Sequence, residues 1–332
     1  MPHKKKITIP GSIVHIMAKG ISGIDIFLDE DDRRVFLEFL SAGILQNGYQ
    51  CYGWALLTNH YHLLLRCSEN PLDGLMRRLN SKYARYCNRK RERHGYLFQD
   101  RYKSILSQDQ RYLEELVRYI HLNPFRAGIC KTIDDLDRYP WCGHAVLLGH
   151  TTNAFQTTDA VLRRFGSTVE EARKRYREYL LKGIDSIDDD WLVSTVRKCN
   201  DGLEERNNPH CWVIGDREFV ISVMKKHEQR LRIAKSAREQ WSLDAVAQKI
   251  ADDHGISIEA LKKGNRSTIS SIAKKKFAFL CCRVFRFPVA RVADYLGLSS
   301  PAVSWAINKG SELLGNNDIN KFTNLPPGRD AR

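Results

Sequence analysis

The run Gly53-Trp54-Ala55-Leu56-Leu57-Thr58-Asn59-His60-Tyr61-His62-Leu63-Leu64-Leu65-Arg66 is apolar at nearly every position and bounded by polar or turn residues. Such a run reads as a buried strand and commits the chain around it to a sheet. Side chains alternate along a strand, so His60 and His62 leave the same face two residues apart. Two imidazoles on rigid backbone can hold one divalent metal ion. With 11 histidines in 332 residues, an isolated pair is weak evidence by itself. The same spacing suits a hydrogen-bonded pair in a core, and the neighbouring segments have to decide.

Upstream, Pro10-Gly11 is a turn signal, and Ile13-Val14-His15-Ile16-Met17-Ala18 gives a first strand ending at Gly20. Asp29–Asp32 start a helix, whose apolar positions Val35, Phe36, Phe39 and Leu40 have helical spacing and which Gly48 ends. Strand, helix, strand fits an α+β sheet domain. Pro71 opens a second helix with Leu75, Leu79, Tyr83 and Tyr86 as its apolar stripe. Arg78, Lys82, Arg85 and Arg89 form a parallel basic stripe, followed by Lys90, Arg91 and Arg93, with Glu92 the only acid between Gly74 and Gly95. A solvated face usually mixes signs, so contact with a phosphate backbone is the favoured reading.

Tyr96–Leu106 reads as another strand in which aromatic residues interleave with Arg101 and Lys103. Its rings either stack on the bases of a single strand or face the core. Arg111–Leu122 is the third helix, with Leu113, Leu116, Val117 and Ile120 inward. Pro124 is expected to stop it at Asn123, which puts Tyr119 in its last turn and Asn123 near the same face. A phenol is a poor nucleophile unaided, but beside a metal-bound phosphate it can attack phosphorus. Tyr119 reads as a core aromatic unless the histidine pair and Asn123 accompany it.

The net charge of +14 favours a polyanionic partner. Residues 1–150 carry 22 Lys+Arg against 16 Asp+Glu, residues 151–230 carry 14 of each, and residues 231–332 carry 17 against 9. Two basic ends around a neutral middle suggest two separate contacts with nucleic acid. No run approaches the roughly 20 apolar residues of a membrane span, and the basic start is followed by no apolar signal core. Nine scattered cysteines without a Cys-x-x-Cys pair argue for reduced thiols and against structural zinc. The expected place is the cytoplasm, associated with the nucleoid, and no membrane partner is expected.

His60-Tyr61-His62 on a strand, Tyr-Leu-Phe-Gln-Asp-Arg-Tyr-Lys-Ser at 96–104 and Tyr-Ile-His-Leu-Asn-Pro at 119–124 resemble the single-tyrosine HUH transposases, with the REP-associated tyrosine transposases the closer branch. The likeness covers about residues 7–150. It implies a ferredoxin-like antiparallel sheet flanked by helices, with His60 and His62 as metal ligands and Asn123 helping to bind the metal. It further implies Tyr119 as the nucleophile that forms a covalent 5′-phosphotyrosine with single-stranded, hairpin-forming DNA, and Mg²⁺ or Mn²⁺ as cofactor. Oxygen donors suit such hard cations. The middle residue of the histidine motif is Tyr61, where an aliphatic residue is usual.

Residues 151–230 read as a helical connecting region, with a helix over Val169–Leu181, an acidic break at Asp185–Asp190 and a loop at Asn207-Asn208-Pro209. Residues 231–315 read as an all-α helix-turn-helix domain. Helices are expected over Leu243–His254 and Ile269–Phe285, the latter with Lys274 and Lys275 as DNA contacts. Pro288–Ser299 supplies a helix and turn, and Pro301–Leu314, capped by Ser300, is the candidate recognition helix with Ser300 and Ser304 toward DNA. The order resembles the C-terminal DNA-binding domain of the replication initiator DnaA and implies a duplex partner. Residues 316–332 read as a loose tail. A metal-dependent DNA strand transferase, compatible with a homodimer, is the leading reading. The alternative is a domesticated, sequence-specific DNA-binding regulator. A metallohydrolase would need an acidic ligand or general base that is not evident nearby.

Overall fold

The computed structural model describes residues 6–68, 70, 72–108, 112–184, 191–199, 212–227, 241–262, 268–285 and 287–314. The expectations at Pro71, Arg111, Asp185–Asp190, Asn207-Asn208-Pro209 and the tail 316–332 lie outside these residues. The chain forms two compact units, Met1–Met224 and Lys225–Arg332.

In the first unit the strands are β1 (Ile13–Lys19), β2 (Gln50–Leu56), β3 (His60–Arg66), β4 (Lys103–Ser107) and β5 (Trp212–Ile214). They form one mixed sheet in the order β2-β3-β1-β4-β5, antiparallel except for the β4–β5 pair. Helix α1 (Glu30–Asn47) connects β1 to β2, α2 (Leu72–Lys90) connects β3 to β4, and α3 (Leu113–Arg126) follows β4. The domain is therefore α+β, as expected.

The long apolar run is not one strand. Thr58 and Asn59 interrupt it, and a tight turn in which Leu57 N–H donates to the His60 carbonyl at 2.9 Å folds it into the β2–β3 hairpin. The exposed Thr58 is a hub of this turn, since its carbonyl accepts from the Ile26 and Phe27 amides at 2.9 and 3.0 Å. Two polar residues suffice for a hairpin turn, which an apolar average over the run conceals. His60 and His62 both lie on β3, so their shared face survives the correction.

The two faces of the sheet have separate cores. Val14, Ile16, Leu63, Leu65 and Leu106 pack under α1 and α2, against Phe36, Leu40, Ile44, Leu75, Leu79 and Tyr83. Ile13, Leu64 and Ile105 pack under α3, against Leu116, Val117 and Ile120. Each such side chain contributes about 2 kcal/mol when fully buried. Alternation then fixes what else this face carries: His15, Met17, His60, His62 and Lys103 share the α3 face.

Helix α3 passes through Pro124 and ends three residues later than expected. Pro124 is buried, its carbonyl accepts from the Ile129 and Cys130 amides, and the chain leaves the helix at Gly128 with φ +69°. A left-handed glycine, rather than the proline, is the terminator here. The strand expected over Tyr96–Leu106 is also shorter. Only Lys103–Ser107 pairs, and Phe98 makes an isolated bridge to Gly20.

Residues 151–224 are not a connecting region. Helix α7 (Val169–Leu181), which has the expected bounds, buries Ala172, Tyr176 and Leu180 in the α3-side core. It follows the short helices α4 (Ile133–Arg138), α5 (Gly143–Leu148) and α6 (Asp159–Leu162). Helix α8 (Trp191–Cys199) adds Leu192 and Val196 to the same core, and β5 extends the sheet. The charged surface of α7 hid a buried stripe that belongs to the first domain.

The second unit is helical among the described residues: α9 (Leu243–His254), α10 (Ile258–Lys262), α11 (Thr268–Phe279), α12 (Val289–Leu296) and α13 (Ser300–Leu313). Helix α11 runs into a π-helical turn over Leu280–Val284, where one unbroken helix to Phe285 was expected. Phe277, Phe285, Val292, Leu296, Val303 and Ile307 form its core with Trp241 and Val246. Gly297 at φ +63° closes α12, and the Ser299 hydroxyl, not that of Ser300, accepts from Ala302 N–H at the start of α13. Ser300 is already helical. Among the described residues no helix is long and apolar enough to cross a membrane, and the eight described cysteines are free thiols.

Candidate active site

The α3 face of the sheet gathers three histidines and a tyrosine. His60 and His62 stand on β3 with ring centroids 5.0 Å apart, and His15 joins them from β1. His15 Nε2 and His62 Nδ1 are 2.9 Å apart and share one hydrogen bond. Tyr119 of α3 meets both rings edge-on, with centroids 5.9 Å from His15 and 6.0 Å from His62. The sequence separates Tyr119 from this pair by more than fifty residues, and the packing of α3 on the sheet closes that gap.

Burial keeps these imidazoles neutral. It lowers His15 to about 3. Burial, with help from the Lys19 ammonium, lowers His60 to about 4. Burial also holds His62 well below its usual value, with His15 and His60 adding to the effect. A neutral imidazole offers a lone pair, which is what a metal ligand requires. His62 Nε2 is buried and has no hydrogen-bond partner, while His60 Nδ1 pairs with Asn59 Oδ1 at 2.7 Å. A divalent cation would satisfy the open His62 nitrogen, so these residues fit one. Among the described residues, however, no three His, Cys, Asp or Glu side chains converge as a metal centre. The two imidazoles of His60 and His62 meet on this face, and the amide expected to join them comes from α3.

That amide is Asn123. Its Nδ2 turns back to donate to the Tyr119 carbonyl at 2.7 Å, which leaves the oxygen as its remaining donor atom. Arg126, one turn beyond Asn123, sets its guanidinium 5.5 Å from the Tyr119 ring centroid. Tyr112, the other tyrosine of this segment, lies at the start of α3 and is half-buried.

A buried polar chain ties α3 to the elements behind it. The Tyr176 hydroxyl of α7 bonds to Nδ1 of both His121, at 2.7 Å, and His144, at 2.8 Å. His144 Nε2 pairs with Asp137 at 2.9 Å, and Arg177 Nε donates to the same carboxylate at 2.7 Å. Gly53 and Gly143 let the backbone come close to this chain: a Cβ at 53 would lie 3.1 Å from His121 Nε2, and one at 143 would lie 2.8 Å from Gln156 Oε1 and 3.0 Å from His121 Nε2. The helix that carries Tyr119 is thereby anchored through His121.

The basic stripe of α2 does not share the face that holds Tyr119. Arg78, Lys82, Arg85 and Arg89 are all exposed on α2, which covers the opposite face of the sheet from the histidines. Lys90 and Arg91, expected to extend it, instead pair with Asp29 and the fully buried Asp32 at the start of α1. They brace α1 against α2. Of the residues between 96 and 106, Tyr96 is 83% exposed, but Leu97 and Tyr102 are buried. Arg101 is exposed in the loop, and Lys103 is exposed on the histidine face. Met17 pairs with both His62 and Lys103, which puts these three in one row across the sheet.

Two residues of this face escaped the sequence reading. His15 was visible only as part of a strand, because no sequence signal gives the β1–β3 register. Lys19, exposed and paired with His60, was hidden in the same way.

In the second unit, Ser300 and Ser304 are exposed on α13, and Trp305 beside them is 57% exposed. Lys275 of α11 holds its ammonium 5.2 Å from the Trp305 ring centroid. Lys274 is half-buried, and burial lowers its pKa.

The sequence model of the family described as "Transposase IS200 like" matches residues 11–123. The solved structure of a REP-associated tyrosine transposase bound to a REP hairpin is similar over 47% of this chain and 98% of its own, at 12% identity and TM-score 0.39. No curated protein matches the chain.

Proposed function

We propose that this chain, whose residues 11–123 match the model of the IS200-like transposase family, is a transposase that cuts and rejoins single-stranded DNA through a covalent bond to Tyr119. The meeting of Tyr119 with His62 across the α3–sheet interface, ring edge to ring, carries this reading. The order β1-α1-β2-β3-α2-β4 in a sheet ordered β2-β3-β1-β4 supports the ferredoxin-like fold that goes with it.

In this reaction Tyr119 Oη attacks a phosphodiester phosphorus. The new O–P bond forms as the bond from phosphorus to the 3′ oxygen breaks, leaving a 3′-hydroxyl and a 5′-phosphotyrosine. The phenolic proton ends on the departing 3′ oxygen. Attack on the phosphotyrosine by another 3′-hydroxyl reverses the step and joins two strands. His60, His62 and the Asn123 oxygen would hold Mg²⁺ or Mn²⁺. Bound there, the cation would offset charge on the phosphate and fix its orientation. Lys19 and Lys103, exposed on the same face, are placed to draw in the DNA backbone. The exposed stripe Arg78, Lys82, Arg85 and Arg89 and the loop residue Arg101 offer further phosphate contacts.

The second unit is proposed as a helix-turn-helix binder of duplex DNA, with α13 as its recognition helix. Residues 225–332 carry 20 Lys+Arg against 10 Asp+Glu, a net of +10. Ser300, Ser304 and Trp305 on the outer face of α13, with Lys274 and Lys275 from α11, would make the contacts.

The decisive experiment incubates the protein and Mn²⁺ with labelled single-stranded hairpin DNA from the flanks of its own gene. The native chain should give a covalent adduct that survives denaturing electrophoresis. Tyr119→Phe should give none while binding the DNA as before, since only the hydroxyl is lost. An adduct in that variant would move the nucleophile to another residue, Tyr112 first.

A further inference from the structure

His62 makes one hydrogen bond through its ring, and the partner is another imidazole. His15 Nε2 lies 2.9 Å from His62 Nδ1, with the rings 7° from parallel and their centroids 5.1 Å apart. That is the arrangement in which an in-plane N–H meets an in-plane lone pair. Both rings are nearly inaccessible, at 2% and 3% exposure. His15 sits mid-strand, and Tyr119 closes over it at 84°. Neither ring has room to turn.

We infer that His15 is a positioning residue that accepts the His62 Nδ1 proton and thereby leaves His62 Nε2 as a lone pair for a divalent cation. Two neutral imidazoles sharing one hydrogen bond allow two proton arrangements. In one, His15 Nε2–H donates and His62 must carry its own proton on Nε2. That nitrogen is then closed to a metal and is a buried N–H without an acceptor, which is costly. In the other, His62 Nδ1–H donates to His15 Nε2, and His62 Nε2 is a lone pair with no competing partner. Ligating histidines are oriented in this way by the group that takes their second ring proton. That group is usually a carboxylate or a backbone carbonyl. Here a neutral imidazole fills the place, and it adds no charge to the site.

This inference rests on the two-histidine cation site proposed above, and one set of measurements separates them. Mn²⁺ alone is titrated into the full-length protein without DNA, with free Mn²⁺ followed by electron paramagnetic resonance. The native chain should bind Mn²⁺ saturably, and His62→Ala should not. His15→Leu should bind about 10–100-fold more weakly, the usual cost of losing an outer-shell partner. His15→Gln, which can place an amide oxygen where Nε2 was, should recover much of that loss. A merely structural role would not be rescued at the metal by an acceptor. Histidine ¹⁵N spectra of the native, metal-free protein read the tautomer without any variant, and His62 should appear protonated at Nδ1. Protonation at Nε2, or native-like Mn²⁺ affinity in His15→Leu, overturns the role of His15. Absence of saturable Mn²⁺ binding by the native chain overturns the cation site and this inference together.

Discussion

The two faces of one sheet have been put to different uses. Under α1 and α2 the strands meet an aromatic core, in which Phe27, Phe36, Tyr61 and Tyr83 pack ring against ring. The charges at its rim are paired off: Asp32 takes hydrogen bonds from Lys90, Arg91 and the Leu28 amide. Under α3 the same strands present imidazoles, and several polar groups there are held together by single hydrogen bonds. The first face is built to stay shut. The second accepts the cost of buried polar groups, and it is the face that holds Tyr119.

The largest effect expected from this contrast is at His62. His62→Ala should reduce adduct formation to background, and excess Mn²⁺ should restore little, because half of the rigid pair is gone. Chelator should do the same to the native chain. A hairpin-DNA assay with and without EDTA checks both, and chelator-resistant cleavage would break the assignment of chemistry to this face.

Acid should distinguish the faces next. Burial keeps His121 and His144 neutral, with Asp137 only partly opposing it at His144. In the unfolded chain such a group binds a proton below about pH 6.5. Stability is therefore full above that pH and falls as the pH drops through it, by up to about 1.4 kcal/mol per pH unit for each such histidine. At Asp32, burial pushes the carboxyl up, but the hydrogen bonds from Lys90, Leu28 and Arg91 outweigh it and hold it low. Its contribution is lost only below about pH 4, the unfolded carboxyl range. Urea midpoints at pH 7.5, 6.5 and 5.5 should thus fall because of the α3 face. A flat profile across that range would mean these histidines are not buried neutral.

Tyr176→Phe should cost about 1–3 kcal/mol of stability, since it leaves the Nδ1 atoms of His121 and His144 without their shared partner. Urea unfolding measures it. The smallest effect should come from the far side. Replacing Arg78, Lys82, Arg85 and Arg89 by Gln should weaken single-strand binding and lower its salt slope by up to about 0.7 per lost phosphate contact. The adduct rate at saturating DNA should be unchanged. A large drop in that rate would show that the α2 face takes part in the chemistry.

Much of this was legible beforehand where local pattern decides. The bounds of Val169–Leu181 and Leu243–His254 follow from caps and apolar spacing, and Thr168 and Ser242 do cap them. That His60 and His62 share a face follows from strand alternation, and the inward stripe of α3 follows from the helical period. What depended on pairing between distant segments was not legible. The register that brings His15 to His62 leaves no local trace, and neither does the choice of sheet face that carries the α2 stripe away from Tyr119. Asp185–Asp190 and the charged surface of α7 suggested a linker, while Tyr176 gave no outward sign of its two histidine partners.

Strand β5 has a consequence for how the molecule is made. It pairs Trp212, Val213 and Ile214 alongside Ile105, Leu106 and Ser107, so the open side of β4 waits for about a hundred further residues to leave the ribosome. At bacterial or eukaryotic synthesis rates that is roughly 5–20 s with a bare strand edge. Unpaired edges are templates for association between chains. A fragment cut at residue 150 would keep that edge for good and would lose α7 as well. The shortest piece worth expressing for the chemistry therefore runs to Met224, and shorter ones should be recovered as aggregates.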